Sequence, residues 1–168
     1  MTVAESSLAQ FQTDIDKWMA EIVPKNPGFL LPLTFLEVGT EQQLDFLRDW
    51  QHKLWQAGFL GMHWPTEYGG QGADPAYQGL VDKALTAHNA PIIFNTIGLN
   101  WTGPLLLDVG TEDDRKRYIK NILTGDDIWC QGFSEPDHGS DLGNVQTRAV
   151  RDGDEYVVNG SKVWTTLG

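Results

Sequence analysis

Residues whose side chains can do chemistry are concentrated in one stretch near the end of the 168-residue chain, residues 130–143. Its three glycines permit backbone angles that other residues avoid. The hydroxyls of Ser134 and Ser140, with neighbouring backbone N–H groups, suit an anion or the polar edge of a ring. The same composition also makes ordinary surface turns, so the stretch by itself leaves a ligand-binding loop and a plain turn open.

Nucleophilic and acid–base chemistry are both conceivable in this stretch. Gly132-Phe133-Ser134-Glu135-Pro136 resembles the first half of the Gly-x-Ser-x-Gly elbow of serine hydrolases, but Pro136 replaces the second glycine. A helix normally follows that elbow, whereas β-forming residues follow here, so a hydrolase using Ser134 is a weak alternative. Glu135 and Asp141 offer a general acid and base, and a structural role in the turn is equally compatible with their setting.

Charge and composition limit the partners of the chain. With 40% hydrophobic and 21% charged residues, it has the composition of a folded globular protein. Its formal net charge of −11 argues against nucleic acid or an anionic membrane as the main partner, since both attract clustered Lys and Arg.

The four histidines and the single cysteine, Cys130, show none of the paired spacings of zinc sites, so we predict no metal. One cysteine also excludes an internal disulfide framework and suits a reducing compartment. The N-terminus lacks the basic start and apolar run of a signal peptide, and no stretch approaches the ~20 apolar residues of a membrane span. We therefore expect a cytoplasmic protein.

The spacing of apolar residues predicts that helices precede residues 130–143 and position them. Residues 24–39, rich in proline, are predicted to form an irregular connection. Capping and stop residues set the helix ends. The predicted helices lie between Ser7 and Pro24, between Thr40 and Gly58, after Asp74, as two short helices with a break within 91–110, and from Thr111 to Gly125.

After Gly125 the apolar period becomes strand-like. Strands are predicted at 145–150, 156–158 and 162–166, with turns at Asp152-Gly153-Asp154 and Asn159-Gly160. The last run would be left as an unpaired edge, which domains normally cover. The predicted fold class is α+β: an all-α helical bundle over residues 1–126, then an incomplete antiparallel β-barrel domain over 127–168.

Four motifs in order resemble those of the acyl-CoA dehydrogenase family. The family signature places Ser-Glu-Pro before a small-residue turn that closes with Gly-Ser-Asp. Asp137 and His138 depart from it, because they stand where members usually carry small residues. The motifs are Gln131-Gly132-Phe133-Ser134-Glu135-Pro136 through Gly139-Ser140-Asp141, the loop Pro65-Thr66-Glu67-Tyr68-Gly69-Gly70, the helix start Gly110-Thr111-Glu112, and Asn159-Gly160-Ser161-Lys162-Val163-Trp164-Thr165-Thr166.

The resemblance implies an FAD-dependent enzyme that introduces an α,β double bond into an acyl-CoA thioester. In such enzymes a Glu takes a proton from the carbon beside the thioester carbonyl, and the next carbon gives a hydride to the flavin. The family's Glu lies in a C-terminal helical domain, and no residue of this chain matches it. We therefore assign no catalytic residue and expect the chain to be the N-terminal portion of such an enzyme.

The resemblance also implies site residues by position. Ser140 falls where the family meets both the FAD pyrophosphate region and the acyl-CoA. Asn95, Asn100 and Trp101 are candidates for one wall of the acyl pocket, with core packing an equal alternative for Trp101. The implied cofactor-binding residues are Gln131, Phe133 and Ser134 at the polar edge of the flavin, Ser140, and Trp164 and Thr166 beside its ring.

Partners follow from the same resemblance. They are an acyl-CoA substrate, an electron-transfer acceptor protein, and further subunits in a homo- or hetero-oligomer. A competing hypothesis is a non-catalytic acyl-CoA-binding or assembly module that kept the fold and lost the chemistry. A following in-frame helical region with a suitably placed Glu would favour the enzyme.

A fluorophosphonate probe tests the hydrolase hypothesis. We expect no covalent labelling of Ser134, because Pro136 and the following β-forming residues do not fit a nucleophile elbow. Peptide mapping by mass spectrometry locates any adduct, and Ser134→Ala serves as the control. Labelling that is confined to Ser134 and lost in this variant would instead support hydrolysis.

Overall fold

The structure is a computed structural model that describes residues 7–24 and 27–168, and it divides into two compact units, one ending at Ile128 and the other spanning Trp129–Gly168. Helices followed by an antiparallel two-stranded sheet confirm the predicted fold class. No helix in the described ranges is long and apolar enough to cross a membrane. The elements are α1 Leu8–Ile22, α2 Glu41–Gln56, α3 Ala76–Ala87, α4 Gly103–Val109, α5 Glu112–Thr124, β1 Arg148–Asp152 and β2 Glu155–Asn159.

Side-chain caps start the helices where the sequence predicts them. The oxygens of Ser7 and Thr40 each accept a backbone N–H in the first turns of α1 and α2. Gln43 accepts the N–H of Gly39 at 3.0 Å, one residue before the position of a strict capping box. Thr111 heads α5 with a complete capping box. Each cap satisfies N–H groups that the helix leaves without an internal partner.

The core of the helical unit is aromatic and aliphatic. Helix α1 packs against α3, and α5 packs against both α2 and α4. The indole N–H of Trp50, a fully buried residue, donates to the carbonyl of Pro91 at 2.9 Å, so its polar atom is not left unpaired. The buried side chains of these helices include Phe11, Ile15, Met19, Leu47, Leu54, Val81, Ile119, Ile122 and Leu123.

The predicted break within residues 91–110 is wrong. A π-helical turn, Gly98–Thr102, leads directly into α4, and the backbones of Thr102 and Gly103 are both helical. At Gly103 the ring of Trp64 lies against the helix so closely that an added Cβ would collide with it. The glycine that suggested a break therefore allows close packing against Trp64.

The predicted strand at 162–166 is also wrong. Its residues pair with the 130–143 stretch instead of extending the sheet, through an isolated bridge between Gln131 and Thr166. Trp164 has φ +56, a left-handed angle at which a strand cannot continue. The first strand begins at Arg148, three positions after the predicted start, and the hairpin turn at Gly153 lies where it was predicted.

The connection before α2 matches its prediction in the described residues. From residue 27 to residue 40 the chain is irregular, except for a 3₁₀ turn, Phe35–Glu37. Residues 25 and 26 lie outside the described part. The ring of Phe29 packs edge-on against Phe46 of α2, with centroids 5.4 Å apart, so the connection is attached to the helical unit.

Two helical glycines offer a matched test of this packing. Gly103→Ala is expected to destabilise the chain by about 1–3 kcal/mol, because its methyl would overlap the Trp64 ring. Gly79→Ala, in α3, is expected to stabilise it by about 0.5–1 kcal/mol, because alanine favours a helix and a Cβ there meets no atom within 4 Å. Urea unfolding followed by circular dichroism measures both. Equal effects of the two changes would contradict the close approach of Trp64.

Candidate functional site

Glu135 is the buried centre of the second unit. Among the described residues 129–168 it is the one buried residue, with its side chain 5% exposed. Its Oε2 accepts the N–H of Gln146 at 2.6 Å, and its Oε1 accepts the N–H of Thr147 at 2.8 Å and Nζ of Lys162 at 3.0 Å. A buried carboxylate needs such donors because it has lost its water.

The polar groups around Glu135 determine its charge. Its pKa is lowered to about 2 by the side chain of Thr147 and the backbone N–H groups of Gln146 and Thr147, with Lys162 as a further donor, while burial acts in the opposite direction. The carboxylate is therefore ionised at neutral pH and engaged on both oxygens. These contacts support a structural role for Glu135 and not that of a general base.

Two segments of this unit lie side by side, and we call them the ribbon: residues 131–135 and 162–166. Gln131 and Thr166 exchange N–H···O bonds of 3.0 and 3.2 Å. Ser134 accepts the N–H of Val163 at 2.9 Å through its carbonyl. The structure therefore brings together three of the predicted site residues, although Thr166 lies some 30 positions after Gln131 and Ser134 in the sequence.

Two aromatic rings of the ribbon are exposed. Trp164 is 90% exposed and Phe133 is 53% exposed. The left-handed backbone of Trp164 costs roughly 1–2 kcal/mol in a non-glycine residue, and such angles persist where surrounding bonds enforce them, often at ligand sites. Here the N–H bonds of Val163 and Thr166 lie on either side of Trp164.

Ser140 lies outside the ribbon. It is exposed two residues after a turn that closes by reciprocal backbone bonds of 2.9 and 3.1 Å between Glu135 and His138. His138 is half-buried in that turn. Next to Ser140, Asp141 accepts the side-chain amide of Asn144 at 2.6 Å, which shapes the short 3₁₀ turn there.

The helical unit contains a cavity of about 240 Å³ within its own residues. Thr96 lines it, and its hydroxyl oxygen is buried with no hydrogen-bond partner among the described residues. A buried polar atom without a partner is costly, so this hydroxyl is a candidate contact for a bound group. The residues that line the cavity include Trp64, Asp82, Ile93, Thr96, Leu99 and Asn100.

Of the three residues that the sequence suggested for an acyl-pocket wall, Asn100 lines the cavity. Asn95 is fully buried, and its amide donates to the carbonyls of Ile122 and Asp127 at 3.1 and 2.9 Å, so it joins parts of the helical unit. Trp101 is 55% exposed, so the core-packing interpretation of Trp101 is wrong.

Sequence reasoning missed the role of Lys162. Its motif was recognised, but no local signal in that motif points to a carboxylate partner. Its partner Glu135 lies 27 positions away. For metal binding, the described residues contain no group of three or more His, Cys, Asp or Glu that could hold an ion.

Comparison with known proteins identifies the class. The family profile described as "Acyl-CoA dehydrogenase, N-terminal domain" matches residues 34–126, and "Acyl-CoA dehydrogenase, middle domain" matches residues 130–168. The first match alone covers more than half of the chain. The chain therefore belongs to the acyl-CoA dehydrogenase family, which confirms the resemblance seen in its motifs.

Individual relatives agree with this class. The chain is 34% identical over 169 residues to acyl-CoA dehydrogenase IpdE1 of Mycolicibacterium smegmatis, covering 94% of this chain and 43% of that protein. The solved "Tcur3481-Tcur3483 steroid ACAD" is 34% identical, with a TM-score of 0.69 over 94% of this chain and 39% of that one. The ChsE4-ChsE5 complex of Mycobacterium tuberculosis is 28% identical, with a TM-score of 0.71 over 99% and 40%. The chain spans less than half the length of these relatives.

The buried carboxylate predicts how the second unit responds to acid. Because the folded pKa of Glu135 lies at about 2, below its ordinary 4.5, its ionised form stabilises the fold. That contribution is complete above pH 4.5 and is lost as the pH falls towards 2. We expect the backbone amides of Gln146 and Thr147 to exchange faster with deuterium as the pH falls through this window, after correction for intrinsic exchange.

Glu135→Gln should raise exchange at these two amides already at pH 7 and remove the added pH dependence, since the charge is gone. Glu155→Gln, an exposed carboxylate of β2, is the matched control and should leave both unchanged. Wild-type-like protection at Gln146 and Thr147 in Glu135→Gln would show that the carboxylate does not hold this part of the chain.

Proposed function

We propose that this chain contributes the N-terminal and middle domains of an FAD-dependent acyl-CoA dehydrogenase, which introduces an α,β double bond into an acyl-CoA thioester. The observation that carries the proposal is the ribbon, which joins Gln131, Ser134 and Thr166 and exposes Trp164 beside them. Membership of the family supplies the chemistry that these residues would serve. The catalytic Glu is assigned to a C-terminal helical domain and to no residue of this chain.

The residues of the ribbon fit a flavin by their chemistry. The exposed rings of Trp164 and Phe133 offer apolar faces to a planar group. The backbone groups of Gln131 and Thr166 bond to each other, so the hydroxyls of Ser134 and Thr166 are the donors proposed for the polar edge. When bound, FAD would supply the hydride acceptor. The ribbon would orient the flavin and shield one face from water.

The proposed substrate is an acyl-CoA thioester. The cavity of the helical unit is our candidate for part of the acyl pocket. It is lined by Ile93, Leu99 and Asn100 and by the hydroxyl of Thr96, which has no hydrogen-bond partner within the described part of the chain. An acyl group that carries a steroid ring system is the proposed class, because the 34% identical solved relative is called a steroid ACAD. Ser140, which is exposed, is proposed to contact the CoA portion and the FAD pyrophosphate.

The proposal includes partners and location. A hetero-oligomer is favoured over a homo-oligomer because a related solved structure is a complex of two named proteins, ChsE4 and ChsE5. Reduced flavin requires an electron-transfer acceptor protein. The net charge of −11 disfavours nucleic acid and anionic membranes as partners. The single, exposed Cys130 suits the reducing cytoplasm, and a domain division between residues 126 and 127 remains part of the proposal.

Flavin binding tests the proposal directly, in the protein isolated from its host with all of its subunits. The wild type should carry a flavin absorption band and oxidise a steroid acyl-CoA when an electron acceptor is present. Trp164→Ala should weaken FAD binding about three- to tenfold, the size of an aromatic stacking contact. Tyr156→Ala, another exposed aromatic residue in the same unit, is the control and should bind FAD normally.

Each outcome has a separate meaning. A wild-type protein without flavin would overturn the proposal and favour the non-catalytic acyl-CoA-binding or assembly module. Equal weakening by Trp164→Ala and Tyr156→Ala would contradict the assignment of the ribbon as the flavin site. Turnover of straight-chain acyl-CoA but not of a steroid acyl-CoA would contradict the substrate class alone.

A further inference from the structure

Lys162 is the first residue of one segment of the ribbon, and its side chain contacts the other segment. Its Nζ donates to the carbonyl of Phe133 at 2.9 Å and to Oε1 of Glu135 at 3.0 Å. Its aliphatic stem covers Gly132, since a Cβ built there would lie 3.5 Å from Cγ of Lys162, an ordinary contact. The side chain is 29% exposed. Lys162 therefore touches three positions of the facing segment, Gly132, Phe133 and Glu135, around the candidate flavin contacts.

Glu135 extends this contact to the hairpin. The carboxylate that accepts Lys162 also accepts the N–H groups of Gln146 and Thr147, directly before β1. Charge-assisted hydrogen bonds are about twice as strong as neutral ones, and their partial burial here limits screening by solvent. The ammonium of Lys162 and the carboxylate of Glu135 therefore link the two segments of the ribbon to the residues directly before β1.

The strained residue of the ribbon lies two positions after Lys162. Trp164 keeps its left-handed φ of +56 while the N–H of Val163 is bonded to Ser134 and Thr166 is paired with Gln131. A non-glycine residue holds such an angle only where its surroundings enforce it. Loss of the Lys162 contacts would free the Phe133 carbonyl on the opposite side and allow the ribbon to relax.

We propose that Lys162 is a positioning residue, which holds the Phe133 carbonyl and the Glu135 carboxylate so that Ser134 and Trp164 keep the geometry that flavin binding requires. This inference rests on the proposed function for its flavin part. The part that concerns the ribbon rests on the contacts of Lys162 alone. Lys162 itself need not touch the flavin.

Substitutions of Lys162 separate the effect of its hydrogen-bond donors from the effect of its side-chain volume. Lys162→Met keeps a long apolar stem over Gly132 and removes the ammonium donors, whereas Lys162→Arg keeps donors and charge. Lys83→Met, on the exposed side of α3, is the control for loss of a lysine charge. In the isolated chain we would measure deuterium exchange at the amides of Val163 and Thr166. In the flavin-loaded protein we would measure FAD affinity and the absorption spectrum of the flavin.

We expect Lys162→Met to speed deuterium exchange at both amides and to shift the flavin absorption band. It should also weaken FAD binding at least about tenfold, as expected for the loss of hydrogen bonds from a charged group. Lys162→Arg should restore part of each effect, and Lys83→Met should show none. The double variant Glu135→Gln with Lys162→Met removes the uncompensated buried charge. The double variant should be thermally more stable than Lys162→Met, but it should not recover the wild-type flavin spectrum.

Unchanged amide exchange in Lys162→Met would overturn the inference whatever the flavin results. Wild-type FAD affinity and spectrum in Lys162→Met, with a wild type that binds flavin, would overturn it as well. Recovery of the wild-type spectrum in the double variant would show that Lys162 only neutralises Glu135, which also overturns a positioning role. A wild type that binds no flavin would instead defeat the proposed function, and the exchange measurement would then decide the inference.

Discussion

The burial of one charged group, the carboxylate of Glu135, shapes the second unit. The residues of β1 and β2 are all exposed, so an apolar core does not hold this unit together in its described part. Domains of this size bury little surface and usually need some other source of stability. Here four hydrogen bonds are made by one carboxylate and its lysine, one of them between the two. Such a polar centre is directional, so it specifies which backbone segments lie together.

The helical unit depends on a different kind of constraint, which is close packing around Trp64. Trp64 fits only because Gly103 has no side chain against its ring and Gly70 has none against its backbone and Cβ. The loop that carries Trp64 is tied to α5 by a 2.6 Å hydrogen bond from the hydroxyl of Tyr68 to Glu112. This bond raises the pKa of Tyr68 and lowers that of Glu112. This bond therefore joins two motifs that are separate in sequence.

Helix starts and ends could be predicted because their causes are local. Ser7, Thr40 and Thr111 each satisfy an N–H three positions ahead, so the pattern and its partner appear in the same few residues. Strand prediction failed at 162–166, although β-forming residues dominate there. Such propensity describes how side chains fit a neighbouring strand, and the neighbour of this segment is a loop that begins some 30 positions earlier.

The sequence by itself determined the order of helices before strands, the caps, the acidic character and the family motifs, because each depends on residue type and short spacing. Tertiary structure alone decided that Lys162 meets Glu135 and Phe133, that Trp164 takes a left-handed angle, and that the hydroxyl of Thr96 lies buried in a cavity. The physical reason is that each of these features depends on which distant group a residue contacts. A buried donor or acceptor must be satisfied, but the sequence does not state which distant group will satisfy it until the chain has folded.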